Sequence, residues 1–243
     1  MPRVAAGHGP MSEVVPTRPD MPEDCLNGRL GEIYQRRLCK FPRAFGWHAL
    51  LAAATIRAPR SINDNIRTNL YCGLVGPTGS GKSSAIDQSL EVLGVSKDPR
   101  LFRAKYGSAE GMMPAIAEQI PPGSNCLLNP DELAHLLAKL NIDRSAFPSV
   151  INTAFYHDQQ TGGTKSCKVE FNARLSIVGG VVEDQFGKVF GSVTTGGLWD
   201  RFTFGLCPEP FAYEFTPFEG PPEIISDPIA VEIHRDVWEE RSS

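Results

Sequence analysis

The sequence has no run approaching the 18 apolar residues that a membrane-crossing helix requires, and its N-terminus carries no apolar signal-peptide stretch. These gaps argue against a helical membrane protein and a secreted one, and they lead to the expectation of a soluble chain in the cytoplasm. Cysteine pairing is also missing. The six cysteines (Cys25, Cys39, Cys72, Cys126, Cys167 and Cys207) are scattered, with no C-x-x-C pair. Free thiols in a reducing compartment are favoured over disulfides or a metal site, with Cys72 and Cys126 falling in predicted core strands. The five histidines form no ligand cluster. There is no excess of positive charge either. A formal net charge of −4 excludes a generally basic nucleic-acid coat while leaving room for a local basic channel. What remains is a chain of 243 residues, 41% hydrophobic, enough for one sizeable α/β core with tails.

The most informative stretch is an apolar strand, Leu70 to Val75, running into Gly76, Pro77, Thr78, Gly79, Ser80, Gly81, Lys82 and Ser83, followed by Ser84. It matches the phosphate-binding pattern G-x-x-x-x-G-K-[ST]. The residue types follow from the task. A triphosphate sits against backbone N–H groups, so the loop has to curl without side chains in the way, and the glycines permit that. A helix over Ser83 to Leu93, apolar at Ile86, Leu90 and Leu93 and stopped by Gly94, points its N-terminal partial charge at the phosphates. Lys82 reaches the β- and γ-phosphates of ATP, and Ser83 holds Mg²⁺.

A second strand, Asn125 to Leu128, leads through Asn129-Pro130 into adjacent acids, Asp131-Glu132. In this arrangement an Asp at a strand end holds Mg²⁺ and an adjacent Glu polarises the attacking water. Asp131 is therefore the candidate metal-side carboxylate and Glu132 the candidate general base. The same pair also suits an ordinary helix N-terminus. When the acidic strand is separated from the P-loop strand by another strand, the pattern marks the large ASCE class of P-loop NTPases. The fold expected by this analogy is α/β: a three-layer, RecA/AAA+-like P-loop NTPase core around a central, mostly parallel sheet.

Around this core the expected organisation is a disordered or loosely draped tail over 1–23, a helical segment over 24–67, the ATPase core over 68–208 and an extended segment with a final helix over 209–243. Helices are predicted over 24–40 and Phe45 to Ile56, with a polar loop over Ser61 to Arg67. The basic run Arg36 to Arg43 reads as a solvated helix end or as a nucleic-acid contact. Leu101 to Tyr106 is a candidate strand, and Ser108 caps a helix running to about Gln119. Further helices are predicted over Leu133 to Leu140, Phe147 to Tyr156 and Asp184 to Phe190.

Gly162-Gly163 is a hairpin-turn signal ahead of a strand at Lys168 to Phe171. The hairpin, carrying Lys165 and Lys168, reads either as a DNA-tracking element or as a plain surface hairpin. The core strand Arg174 to Val178 is expected to end at Gly179-Gly180, leaving Glu183 or Asp184 slightly late for a γ-phosphate sensor. A Gly- and Thr-rich mobile loop precedes Arg201, which stands at the start of a strand over Phe202 to Cys207. Arg201 has two open readings: an arginine finger reaching a neighbouring subunit's ATP, or a structural salt bridge with Asp200 or another acid.

Three stretches in order, Gly76 to Ser84, Asp131-Glu132-Leu133-Ala134, and Leu175 to Gly180 followed by Gly197-Leu198-Trp199-Asp200-Arg201-Phe202, carry a resemblance. Together with Ser108-Ala109-Glu110-Gly111 they resemble a family of P-loop ATPases of phages, plasmids and bacterial mobile elements, described as primase–helicase-like. The resemblance covers about residues 45 to 208. It implies ATP hydrolysis coupled to work on single-stranded or forked DNA during replication, in a homo-oligomeric ring, with a primase domain in trans or missing from this chain. Two other readings stay open: a nucleotide-dependent switch that binds a partner and turns over slowly, and a small-molecule kinase. The acid pair and the lack of an Arg-rich lid argue against the kinase.

Overall fold

A computed structural model of the chain describes residues 18, 20–58, 67–103, 109–140, 147–157, 159–164, 167–190 and 197–209. The expectations for most of the N-terminal tail, the loop before Arg67, the Ser108 cap, Lys165, the Gly/Thr loop over 191–196 and the segment from 210 onward lie outside these residues.

The core is a parallel sheet of five strands: β1 (Tyr71–Gly76), β2 (Leu101–Phe102), β3 (Ser124–Leu128), β5 (Cys167–Val182) and β6 (Phe202–Leu206), in the order β2-β3-β5-β1-β6. A further strand, β4 (Gln159–Thr164), pairs antiparallel with the first part of β5. Every residue of β1 is buried, as in the centre of a parallel sheet covered on both faces. Alternation along the strands divides the core in two. Tyr71 and Val75 of β1, Cys126 and Leu128 of β3, and Leu175 and Ile177 of β5 face one cluster. Cys72, Leu74, Leu127 and Val178 face the other.

Helices cover both clusters. One side takes α1 (Gly28–Ile33), α2 (Arg43–Ala54) and α3 (Lys82–Val92), contributing residues such as Ile33, Leu50 and Leu90. The opposite side takes α4 (Ala109–Gln119), α5 (Leu133–Leu140) and α6 (Phe147–Tyr156), contributing Ile116, Leu137 and Ile151. The segment over 24–58 thus shares one core with the strands. At its far end the Asn125 side-chain amide donates to the carbonyls of Thr55 and Ala58, at 2.8 and 2.7 Å, satisfying polar groups that burial would otherwise strand. On the opposite face the Tyr71 hydroxyl donates to the Ile151 carbonyl at 2.8 Å, and burial pushes its phenol well up from the usual range.

Several expectations are corrected. The first helix is shorter than 24–40: α1 passes at Tyr34 into a wider π-helical turn over Tyr34–Leu38, where the Tyr34 ring packs under Gly46 of α2. The end of the predicted tail is pinned, not draped. Arg43 bonds the Met21 carbonyl at 3.0 Å and pairs with Asp20 at 3.2 Å. The strand at Leu101 has two residues only. Gly162 and Gly163 are not the hairpin turn; they pair within β4 opposite Val169 and Lys168, and the pairing continues to Thr164 opposite Cys167. Nor does the core strand stop at Gly179-Gly180. β5 continues to Val182, with Gly179 beside Gly73 and Val182 beside Gly76. A side chain at Gly179 would lie 2.9 Å from the Leu133 Cβ, so glycine here lets α5 close on the sheet without ending the strand.

Among the described residues no helix is long and apolar enough to cross a membrane. The described thiols Cys25, Cys39, Cys72, Cys126 and Cys207 are free, and burial pushes those of Cys72 and Cys126 up to about 12.

Candidate functional site

Ligands of open α/β sheets bind outside the carboxyl ends of the strands. Here the carboxyl end of β1 is Gly76, and the loop to α3 turns on Gly79 and Gly81, at φ +81° and +84°. Both values lie in the left-handed region that side chains disfavour, so the backbone requires glycine at Gly81, a fixed position of the sequence pattern, and at Gly79, which the pattern leaves free. Gly81 is the N-cap of α3 and supplies no side chain to bond the first N–H groups of the helix.

Lys82 lies half-buried at the start of α3. Its ammonium donates to the carbonyls of Gly76 and Pro77, at 2.8 and 2.7 Å, and to the Ser80 hydroxyl at 3.3 Å. Burial lowers its pKa, opposed by the proximity of Cys207 and Glu183. The Ser80 hydroxyl also donates to the Pro77 carbonyl at 2.8 Å, which fixes the curl of the loop. Thr78, Ser83 and Ser84 are exposed around it.

Beside this loop is a cleft of about 190 Å³. Ser83 and Asp87 of α3, Arg103 just after β2, Asn129 and Asp131 beyond β3, and Gly180 of β5 line it. Four segments distant in sequence therefore meet at the carboxyl ends of adjacent strands. β3 is separated from β1 by β5, the spacing expected for an acidic strand of the ASCE type. Asn129 holds the corner together: its side-chain amide donates to the Val178 carbonyl at 2.9 Å, and its backbone N–H donates to the Phe102 carbonyl at 2.8 Å.

The structure brings Ser83 and Asp131 to one cleft. Glu132 stands just before α5 with a carboxylate oxygen 3.1 Å from Nδ1 of His135, and it is not among the cleft-lining residues. Arg201 is elsewhere. It ends the short 3₁₀ turn Trp199–Arg201, ahead of Phe202, which pairs with Tyr71 at the amino end of β1. Five strand residues at ~3.3 Å each put it roughly 16 Å down the sheet from its own P-loop. Its guanidinium donates to the Gly197 carbonyl and lies 4.8 Å over the Tyr156 ring, whose residue is 51% exposed. Lys168 sits within β5, paired with Gly163 on the hairpin.

Sequence reasoning missed Arg103, Asp87 and Asn129. Asp87 was legible in principle, four residues past Ser83 on the same helix face. Arg103 was not, because only the pairing of β2 with β3 brings it to the cleft. The continuation of β5 also brings Glu183 to the P-loop corner, where Arg18 bonds its carboxylate and the Cys207 carbonyl, the latter at 3.2 Å.

No protein-family model matches the chain, and no curated protein matches it.

Proposed function

We propose that the chain is a Mg²⁺-dependent P-loop ATPase, a helicase-like motor acting on DNA. The observation that carries this reading is the meeting of Ser83 and Asp131 in one cleft beside the glycine loop that Lys82 closes. The backbone N–H groups of the loop over Gly76 to Ser84, Pro77 excepted, cradle the phosphates, and Lys82 exchanges its bonds to loop carbonyls for phosphate oxygens.

The donor set suits Mg²⁺. A serine hydroxyl and a carboxylate are hard oxygen ligands, and this ion characteristically takes one or two carboxylates together with substrate phosphates and water. Among the described residues there is no group of three or more His, Cys, Asp or Glu that would hold a metal by itself; Ser83 and Asp131 would hold the ion together with the bound nucleotide. Bound Mg²⁺ supplies neutralisation of charge on the β- and γ-oxygens. Glu132 orients the attacking water after leaving His135. Arg201, at the far end of the sheet from its own loop, acts on the nucleotide of a neighbouring subunit in a homo-oligomer. The hairpin of β4 and β5, whose sequence carries Lys165 and Lys168, is the proposed contact for single-stranded or forked DNA, with a primase domain in trans or missing from this chain.

A second reading is a nucleotide-dependent switch with slow turnover, and it is favoured by Glu132 bonding His135 and not being among the residues that line the cleft. Measuring ATP hydrolysis with and without single-stranded DNA, alongside mass in solution with ATP, separates the two. DNA-stimulated hydrolysis with ATP-driven assembly supports the motor. Slow hydrolysis indifferent to DNA, from a monomer, supports the switch.

A further inference from the structure

Among the described residues lining the cleft, Arg103 is the one cationic side chain, and it stands there with Ser83, Asp87 and Asp131. Its guanidinium pairs with the Asp87 carboxylate at 3.0 Å, and the two side chains are 46% and 56% exposed. An exposed pair of this kind is held weakly and exchanges readily. Asp87 lies one helical turn beyond Ser83 on α3, a rise of ~6 Å, which is within the sweep of an arginine side chain anchored at the edge of the same cleft. A guanidinium fork matches a phosphate as well as a carboxylate, and a polyanionic phosphate is the stronger acceptor.

We infer that Arg103 recognises the terminal phosphate of the bound nucleotide, leaving Asp87 when that phosphate enters and returning to it when only a diphosphate remains. The inference rests on the nucleotide-binding reading above and adds to it a residue that tells triphosphate from diphosphate. Strand β2 sits at the sheet edge and carries Arg103 at its carboxyl end, with the Asn129 N–H tied to the Phe102 carbonyl at 2.8 Å. The exchange therefore links the γ-phosphate to the edge of the sheet and to the Asn129–Asp131 corner.

The test is equilibrium titration of the full chain with Mg²⁺-ADP and with a non-hydrolysable ATP analogue, for the wild type, Arg103→Ala, Arg103→Lys, Asp87→Asn and Lys82→Ala. Arg103→Ala should weaken the triphosphate analogue by about tenfold or more, the range of one charge-assisted hydrogen bond, while shifting ADP less than about twofold. Arg103→Lys should recover part of that loss, since it keeps the charge without the fork. Asp87→Asn removes the rival carboxylate and should tighten the triphosphate by a few-fold. Equal losses for both nucleotides in Arg103→Ala, no loss for either, or no gain in Asp87→Asn would overturn the inference alone, provided that the wild type binds nucleotide and Lys82→Ala does not. A wild type that binds neither nucleotide would overturn it together with the reading it rests on.

Discussion

Gly180 of β5 faces the stem of Lys82: a methyl group at position 180 would lie 3.4 Å from both the Cβ and the Cε of the lysine. That is ordinary van der Waals contact, so alanine fits. A branched side chain does not, and it would push the ammonium away from the loop. Gly179, one residue earlier, points the other way, where an added Cβ would meet the Leu133 Cβ at 2.9 Å. Two adjacent glycines thus make room for different partners, Lys82 on one face and α5 on the other.

The pair can be separated by mutation. Gly180→Val should weaken nucleotide binding about tenfold or more with little change in stability, whereas Gly180→Ala binds as the wild type does. Gly179→Ala should cost about 1–3 kcal/mol in stability through overpacking against Leu133. Denaturant midpoints and nucleotide titrations of the three variants decide it. Equal effects of Gly180→Val and Gly179→Ala on binding would contradict the assignment of faces.

Lys82→Ala and Glu132→Gln should fail at different steps. The first removes a charged donor to two phosphates and should weaken ATP binding by roughly 100-fold. The second should bind ATP normally and hydrolyse it about 100-fold or more slowly, the effect of losing a general base. Direct binding paired with phosphate release distinguishes them. Normal hydrolysis by Glu132→Gln would remove Glu132 from the chemistry and leave the switch reading in its place.

Arg201 is testable by mixing. If it completes a neighbour's site, Arg201→Ala should lower turnover by about a thousandfold or more, as arginine fingers do. Adding Lys82→Ala, itself inactive, should then restore part of the activity, because its intact Arg201 reaches the intact P-loop of the other variant. No restoration on mixing would assign Arg201 to the structural role suggested by its Gly197 and Tyr156 contacts.

At the amino end of β2, Asp98 accepts from Arg100 three times, from its backbone N–H at 2.9 Å and from its side chain at 2.9 and 2.8 Å. Burial pushes the Asp98 carboxyl up, but the Arg100 bonds and charge together outweigh it and hold the carboxyl below its usual range. A depressed folded-state pKa means stability that is fully present above the unfolded value of ~3.9 and is lost as pH falls through the lower folded value. Asp98→Asn should therefore cost about 2 kcal/mol at neutral pH, with the gap to wild type closing below about pH 4. Denaturant unfolding at a series of pH values checks this; a gap that does not change with pH would contradict it.

The legible parts of the fold were those with local pattern. The run Leu70 to Val75, the glycine loop and the helix stopped at Gly94 appear within a residue of their predicted bounds. The helices over Leu133–Leu140 and Phe147–Tyr156 match theirs. Glycine misled twice in the same way. Gly162-Gly163 and Gly179-Gly180 read locally as turn and stop, yet both pairs lie inside strands, where the sheet partner and the packing of α5 decide. In the site, Ser83 and Asp131 follow from motif spacing. Arg103 and Glu183 do not, because β2 is two residues long and β5 runs past its glycines, and only strand pairing shows where each ends.

On the proposed function, the cleft beside Lys82 binds and hydrolyses Mg²⁺-ATP. The most direct test is phosphate release from ATP by the purified wild type, with and without Mg²⁺, against Lys82→Ala. Release that requires Mg²⁺ and disappears in Lys82→Ala is the predicted result. Release that is equal in the two proteins, or no ATP binding by the wild type, would contradict it.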